Sequence, residues 1–334
     1  MALALVIAYA MASPLPHLAP IFAWLLTMEP KKPLGFKGLL VLVPVTALTT
    51  GTGLLMIPLL SDYPATAILV VLIALFFSTY LSVSLGQVTV GMLLTIGITL
   101  ISAVGTVSFV AAIGVINGFL MAIVISISSQ WLVYPLFPED PVSLEPPAEQ
   151  VGNEHALWIS VRTTLIVIPV YLLCLTNPLM YTALILKSVS LGQQSTVGDT
   201  KAAAKVLLGS TLMGGVLAIV FWFALKLNVS LWMFFLWMLL IGIGVAAKIY
   251  GLRASKYSVD FWSTALVTML ILLGPAVADS ANGKDVYQAF AVRMSLLFAV
   301  AIYAWITVLA LDQLRVRLRR GSSSLSATSA TING

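Results

Sequence analysis

Charge is scarce in this sequence. Only 9% of its 334 residues are Asp, Glu, Lys or Arg, against 60% hydrophobic residues and a mean hydropathy of +1.06. A soluble domain carries roughly 25% charged residues, so an ordinary water-facing surface is excluded and the chain reads as an integral membrane protein. Polar and apolar residues do not alternate at period two, which excludes the lipid-facing strands of a barrel. The long continuous apolar runs are therefore helices, the other structure that satisfies its own backbone in lipid. Cysteine occurs once, at Cys174 inside an apolar run, so neither a disulfide framework nor a thiolate metal cluster is expected. Neither histidine, His17 nor His155, has a second one nearby, and no metal or cofactor is expected. No basic region precedes the first apolar run, so no cleavable signal peptide is expected. The sequence also has no G-x-x-x-x-G-K-[ST] loop, no H-E-x-x-H pair and no nucleophile, base and orienter set. Neither ATP hydrolysis nor intramembrane catalysis is expected, and the chain is not read as an enzyme.

What is present is a succession of apolar runs separated by breakers. Read against the ~20 residues needed to cross a bilayer, they predict an all-α polytopic membrane protein of about twelve spans. In the first half these are 1–13, 15–28, 36–60, 64–83, 88–105 and 107–135. In the second they are 156–176, 178–191, 202–225, 229–250, 257–277 and 286–312. Residues 136–155, rich in Pro and Glu, form the linker between a first six-helix repeat, 1–135, and a second, 156–314. Residues 315–334 make a basic and then disordered tail. Shifting the sequence by 162 residues places Pro16 on Pro178, Thr49 on Thr211 and Gly53 on Gly215. An even number of spans per half makes the two repeats parallel.

All but three of the 17 Lys and Arg residues fall in loops or helix ends on one side, Lys31, Lys32, Lys187, Lys201 and Lys205 among them. Only Lys226, Lys284 and Arg293 fall on the other. This asymmetry places both termini in the cytoplasm. Because the net charge of +5 is spread over helix ends, no nucleic-acid partner is expected. The seventh span opens with "HALWISVRTT", and the counterpart of Arg162 would precede Met1. Either the first repeat has lost that turn, or the true start codon lies upstream.

The stretch "KAAAKVLLGSTLMGGVLA" resembles the fusaric acid resistance superfamily, whose members place a basic residue, an apolar turn, Gly-Thr and Gly-small at the start of a helix. Here these are Lys205, Gly209, Ser210 or Thr211, Gly214 and Gly215. "AFAVRMSLLFAVA", with Arg293, is a second echo. The nearest subgroup is that of short, membrane-only relatives of the aromatic acid exporters. The motif here has Lys where Arg is usual, the large cytoplasmic domains of longer exporters are missing, and Val43 stands at the first-half position of Lys205. The resemblance implies export of small aromatic, weak-acid or toxic compounds through a bacterial inner membrane, beside a periplasmic adaptor. A passive organic-anion channel and an accessory membrane subunit are the alternatives, and the sequence leaves any homo-oligomer open.

A charge inside a span costs at least roughly 2.5–3.5 kcal/mol at the bilayer centre, falling toward the ends. Arg162, Lys205 and Arg293 are the candidate substrate-binding cations, since a guanidinium fork suits a carboxylate. Each also has a plainer reading: snorkelling for Lys205, and an interhelical ion pair for Arg162, with Asp260 as partner, and for Arg293. Asp260 is the candidate proton-coupling carboxylate if buried, or a helix-start acid favoured by the dipole. Gly209, Ser210, Thr211, Gly214 and Gly215 give the small-xxx-small spacing of close helix packing.

Overall fold

The structure, a computed structural model, describes residues 1–28, 34–137, 153–193, 205–283 and 285–332. Lys31, Lys32, Asp199, Lys201, Lys284 and most of the linker lie outside these residues. Helices account for all the regular structure described: α1 (Ala2–Ala10), α2 (Leu18–Thr27), α3 (Phe36–Asp62), α4 (Pro64–Ser84), α5 (Val88–Ile96), α6 (Ser102–Val107), α7 (Phe109–Val133), α8 (Asn153–Thr176), α9 (Pro178–Gln193), α10 (Ser210–Leu227), α11 (Leu231–Ile249), α12 (Val259–Ala281) and α13 (Val286–Ile332). A π-helical turn, Gly97–Ile101, joins α5 to α6 as one continuous span, and a second, Lys205–Gly209, leads into α10.

Local chemistry sets most of these boundaries. Ser108, Ser230 and Ser258 cap α7, α11 and α12, their hydroxyls accepting from the amides of Ala111, Met233 and Phe261 at 3.2–3.3 Å, which satisfies one of the orphan donors of each first turn. Pro64 and Pro178 open α4 and α9, where the missing N–H costs nothing. After α11 the chain turns at Gly251 with φ +72°, a left-handed conformation open to glycine without strain.

Each of the twelve apolar runs contains helix, but only nine described helical spans are long and apolar enough to cross a membrane. Twelve crossings are therefore not confirmed by the described helices. At about 1.5 Å per residue, the 9 residues of α1 and the 10 of α2 rise only about 14 and 15 Å. The 16-residue α9 is short as well. The last helix also continues through 315–332, where an irregular tail was expected; "LDQLRVRLRR" is a run of good helix formers.

Burial sorts the spans into inner and outer ones. In α12, 83% of the membrane window is buried, and in the α5–α6 span 72%, against 17% in α3 and in α11. Around the inner pair, contacts between the halves come in matched sets. In the outer layer α1 packs on α11, and α4 on α8. Short α2 reaches α12 of the other half, while short α9 reaches α5 and α6 of the other half as well as α12 of its own. Trp24 Nε1 donates to Ser263 Oγ at 3.0 Å to hold α2 on α12, and Ser102 and Tyr171 share a hydrogen bond of 3.1 Å between α6 and α8.

Candidate functional site

Helix α9 starts at the surface, where Asn177 Oδ1 accepts from the Met180 amide at 3.3 Å. It then turns into the protein. Seven consecutive residues, Ala183 to Val189, are buried. A helix with one outward face would expose some of them, so continuous burial means that neighbours surround it. Those neighbours are α8, α12, α13 and the α5–α6 span. In the middle of this stretch sits Lys187, fully buried.

Lys187 Nζ donates to Thr268 Oγ1 at 2.6 Å, and the Thr268 hydroxyl donates in turn to Thr264 O at 2.6 Å. Ser188, beside it, is taken up by Ile185 O of its own helix at 2.9 Å. Lys187 makes no ion pair among the described residues. The carboxylates of α12 lie far along its axis from Thr268, Asp260 about 12 Å one way and Asp279 about 16 Å the other. Lys187 is nine residues, or about 14 Å, from the start of α9, and Thr268 is equally far from the start of α12. Both therefore lie near half the ~30 Å hydrocarbon thickness. Reading Lys187 as a helix-end cation was an error of depth: α9 is enclosed by both halves, and its lysine has no path to a headgroup.

The residues singled out from the sequence are dispersed. Arg162 is buried on α8 beside the buried Thr163 and Thr164. Lys205 opens the π turn ahead of α10, its side chain outside the described residues. Arg293 on α13 pairs with Asp279 on α12 at 2.5 Å, both side chains being largely buried. Asp260 is exposed in the first turn of α12 and forms no ion pair among the described residues. The pairing of Asp260 with Arg162 does not form, because α8 packs on α4, α9 and α13 while Asp260 points outward. A helix-start position suits an exposed carboxylate through the dipole, whereas burial was the premise of its proton-coupling role. Among the small residues, Gly209 lies against Phe261, Gly214 against Ala265 O and Thr268, and Gly215 beneath the Met294 side chain. Ser210 and Thr211 are buried, their hydroxyls donating to Val206 O and Leu207 O. Gly214 thus brings α10 onto the same threonine that receives Lys187.

Asp279 was not singled out from the sequence, and Lys187 was counted only among helix-end charges. The signal at Lys187 was six apolar or small residues ahead of it in a short segment, which is depth rather than an end. For the Arg293–Asp279 pair we expect Arg293→Met to cost about 2–3 kcal/mol, the lower range for breaking a buried pair, since both groups keep some solvent contact. Adding Asp279→Asn should recover most of the loss. Thermal unfolding of the single and double variants in detergent checks this; no recovery would mean that the two charges are not coupled.

Residues 1–133 match the family model described as "Protein of unknown function (DUF2955)". The match stops at the last residue of α7 and reaches neither Lys187 nor the stretch 205–215. No curated protein and no solved structure matches the chain.

Proposed function

We propose that this protein is a secondary transporter that exports small organic anions, aromatic weak acids foremost, across a bacterial inner membrane. The proton gradient drives it and a periplasmic adaptor works beside it. It is built of two parallel six-segment repeats, with both termini cytoplasmic. The observation that carries this reading is Lys187, a cation enclosed near the middle of the spans and hydrogen-bonded to a threonine instead of a carboxylate. An amine held there is costly, and such residues mark substrate or ion pathways. An arriving carboxylate is the counter-ion that the described residues around it do not supply. Sites of this kind form near the midplane where repeats meet and where helices are short or interrupted. Short α9 meets both halves at this depth, and the matched contacts α1–α11 with α4–α8 support two repeats. Export, proton coupling and the adaptor rest on the resemblance at 201–218 and on the asymmetry of basic residues.

Purified protein in liposomes tests the reading with radiolabelled benzoate and a panel of phenolic acids. Under an imposed pH gradient, accumulation faster and greater than in protein-free liposomes, lost on adding an uncoupler, is the expected result. Single-channel currents would replace the transporter by a passive channel. No movement of any tested acid would leave an accessory subunit.

A further inference from the structure

Helices α10 and α13 touch where the Met294 side chain lies on Gly215, and then splay apart. Between them runs a groove of about 520 Å³, walled by Leu212, Ile219 and Phe223 of α10 and by Phe290, Met294 and Phe298 of α13. Its Ser295 hydroxyl is taken up by Val292 O at 2.8 Å, so that wall offers nothing polar to a ligand. At one end stands a cation: Lys226 Nζ lies 4.5 Å from the Tyr287 ring centroid and donates to Tyr287 Oη at 2.7 Å. Tyr287 itself lines the groove, and Lys226 is exposed at its mouth.

The chemistry of the groove selects the occupant. From Leu212 to Phe223 it follows eleven residues of α10, about 17 Å at about 1.5 Å per residue. An apolar channel of that length with a cation at one end suits an amphiphile, one extended hydrocarbon chain carrying an anionic head. A lysine ammonium has three donors, and Tyr287 takes one, so two remain for an anion held at the mouth of the groove. We propose that the α10–α13 groove binds one acyl chain of an anionic phospholipid, with the lipid phosphate on Lys226. Because a lipid tail gains little by leaving other tails, selection comes from the headgroup charge at Lys226 and from the groove's shape.

The test uses the full chain, delipidated in detergent and incubated with phosphatidylglycerol or phosphatidylcholine of identical acyl chains, with bound lipid counted by native mass spectrometry. One phosphatidylglycerol should be retained about fivefold more strongly than phosphatidylcholine, the factor expected from one interfacial cation. Lys226→Gln should bring the two lipids level. Ala291→Trp, on an exposed wall of the groove, should release both while leaving the melting temperature unchanged. Equal retention of the two lipids by the parent protein would overturn the proposal. So would unchanged lipid binding in either variant, displacement of the lipid by soluble glycerol phosphate, or a dimer that Ala291→Trp dissociates.

Discussion

Replacing Lys187 by Met should slow benzoate transport about a hundredfold or more, the loss expected when a buried charged partner is withdrawn from an anion. The same change should leave the protein at least as stable as its parent. These two effects separate a binding role from a structural one. In the parent, a full amine side chain is enclosed by α8, α12, α13 and the α5–α6 span, with Thr268 as its hydrogen-bond partner. Methionine has similar length and fills the same space without a desolvated polar head. Thr268 keeps its bond to Thr264 O at 2.6 Å, so the substitution strands no donor. A lysine that merely holds α9 to α12 gives the opposite pattern, a lower melting temperature with normal transport per folded molecule. Uptake in liposomes and thermal unfolding in detergent, measured on the same preparation, distinguish the two.

The second large effect concerns two glycines on one helix. Gly53→Ala should destabilise the protein by about 2–3 kcal/mol, the upper range for overpacking a closed contact. Gly51→Ala should be neutral or stabilising by about 0.5 kcal/mol, since alanine restricts the unfolded chain at a compatible site. The difference is what each new methyl group meets. At Gly53 it runs into Gly97 O and Ile101 Cβ, and Gly97 in turn faces Thr49 O and the Thr50 Cα. Backbone meets backbone on both sides of this crossing, so no side chain can swing away and α3 must move off the π turn. At Gly51, two residues earlier, nothing lies within 4 Å. The melting temperatures of the two variants check the prediction. Equal melting temperatures would mean that the crossing is looser than the structure has it.

Local sequence accounts for most of the helical framework. The apolar runs, with Ser108, Ser230 and Ser258 before them and Pro64 and Pro178 inside their starts, placed the helices to within a few residues, because caps and breakers act over one turn. The same local reading counted α1 and α2 as spans, and as described they rise only about 14 and 15 Å. It also misplaced the charges. Arg293 was weighed against ion pairing in general, yet its partner, Asp279, lies on a different helix and 14 positions earlier. Asp260 was offered as a buried coupling carboxylate or as a helix-start acid, and its exposure in the first turn of α12 fits the second.

By itself the sequence determined that the chain is an all-helical, multi-pass membrane protein, since composition and run length depend only on each residue and its near neighbours. The tertiary structure alone decided that Lys187 is enclosed. The apolar residues ahead of Lys187 record its distance from the start of α9, not its enclosure. Its burial comes from α9 being surrounded by helices of both halves, and no pattern along the chain records that. Depth in a membrane protein is a property of the packed assembly, because only the neighbours determine whether a long side chain can reach water.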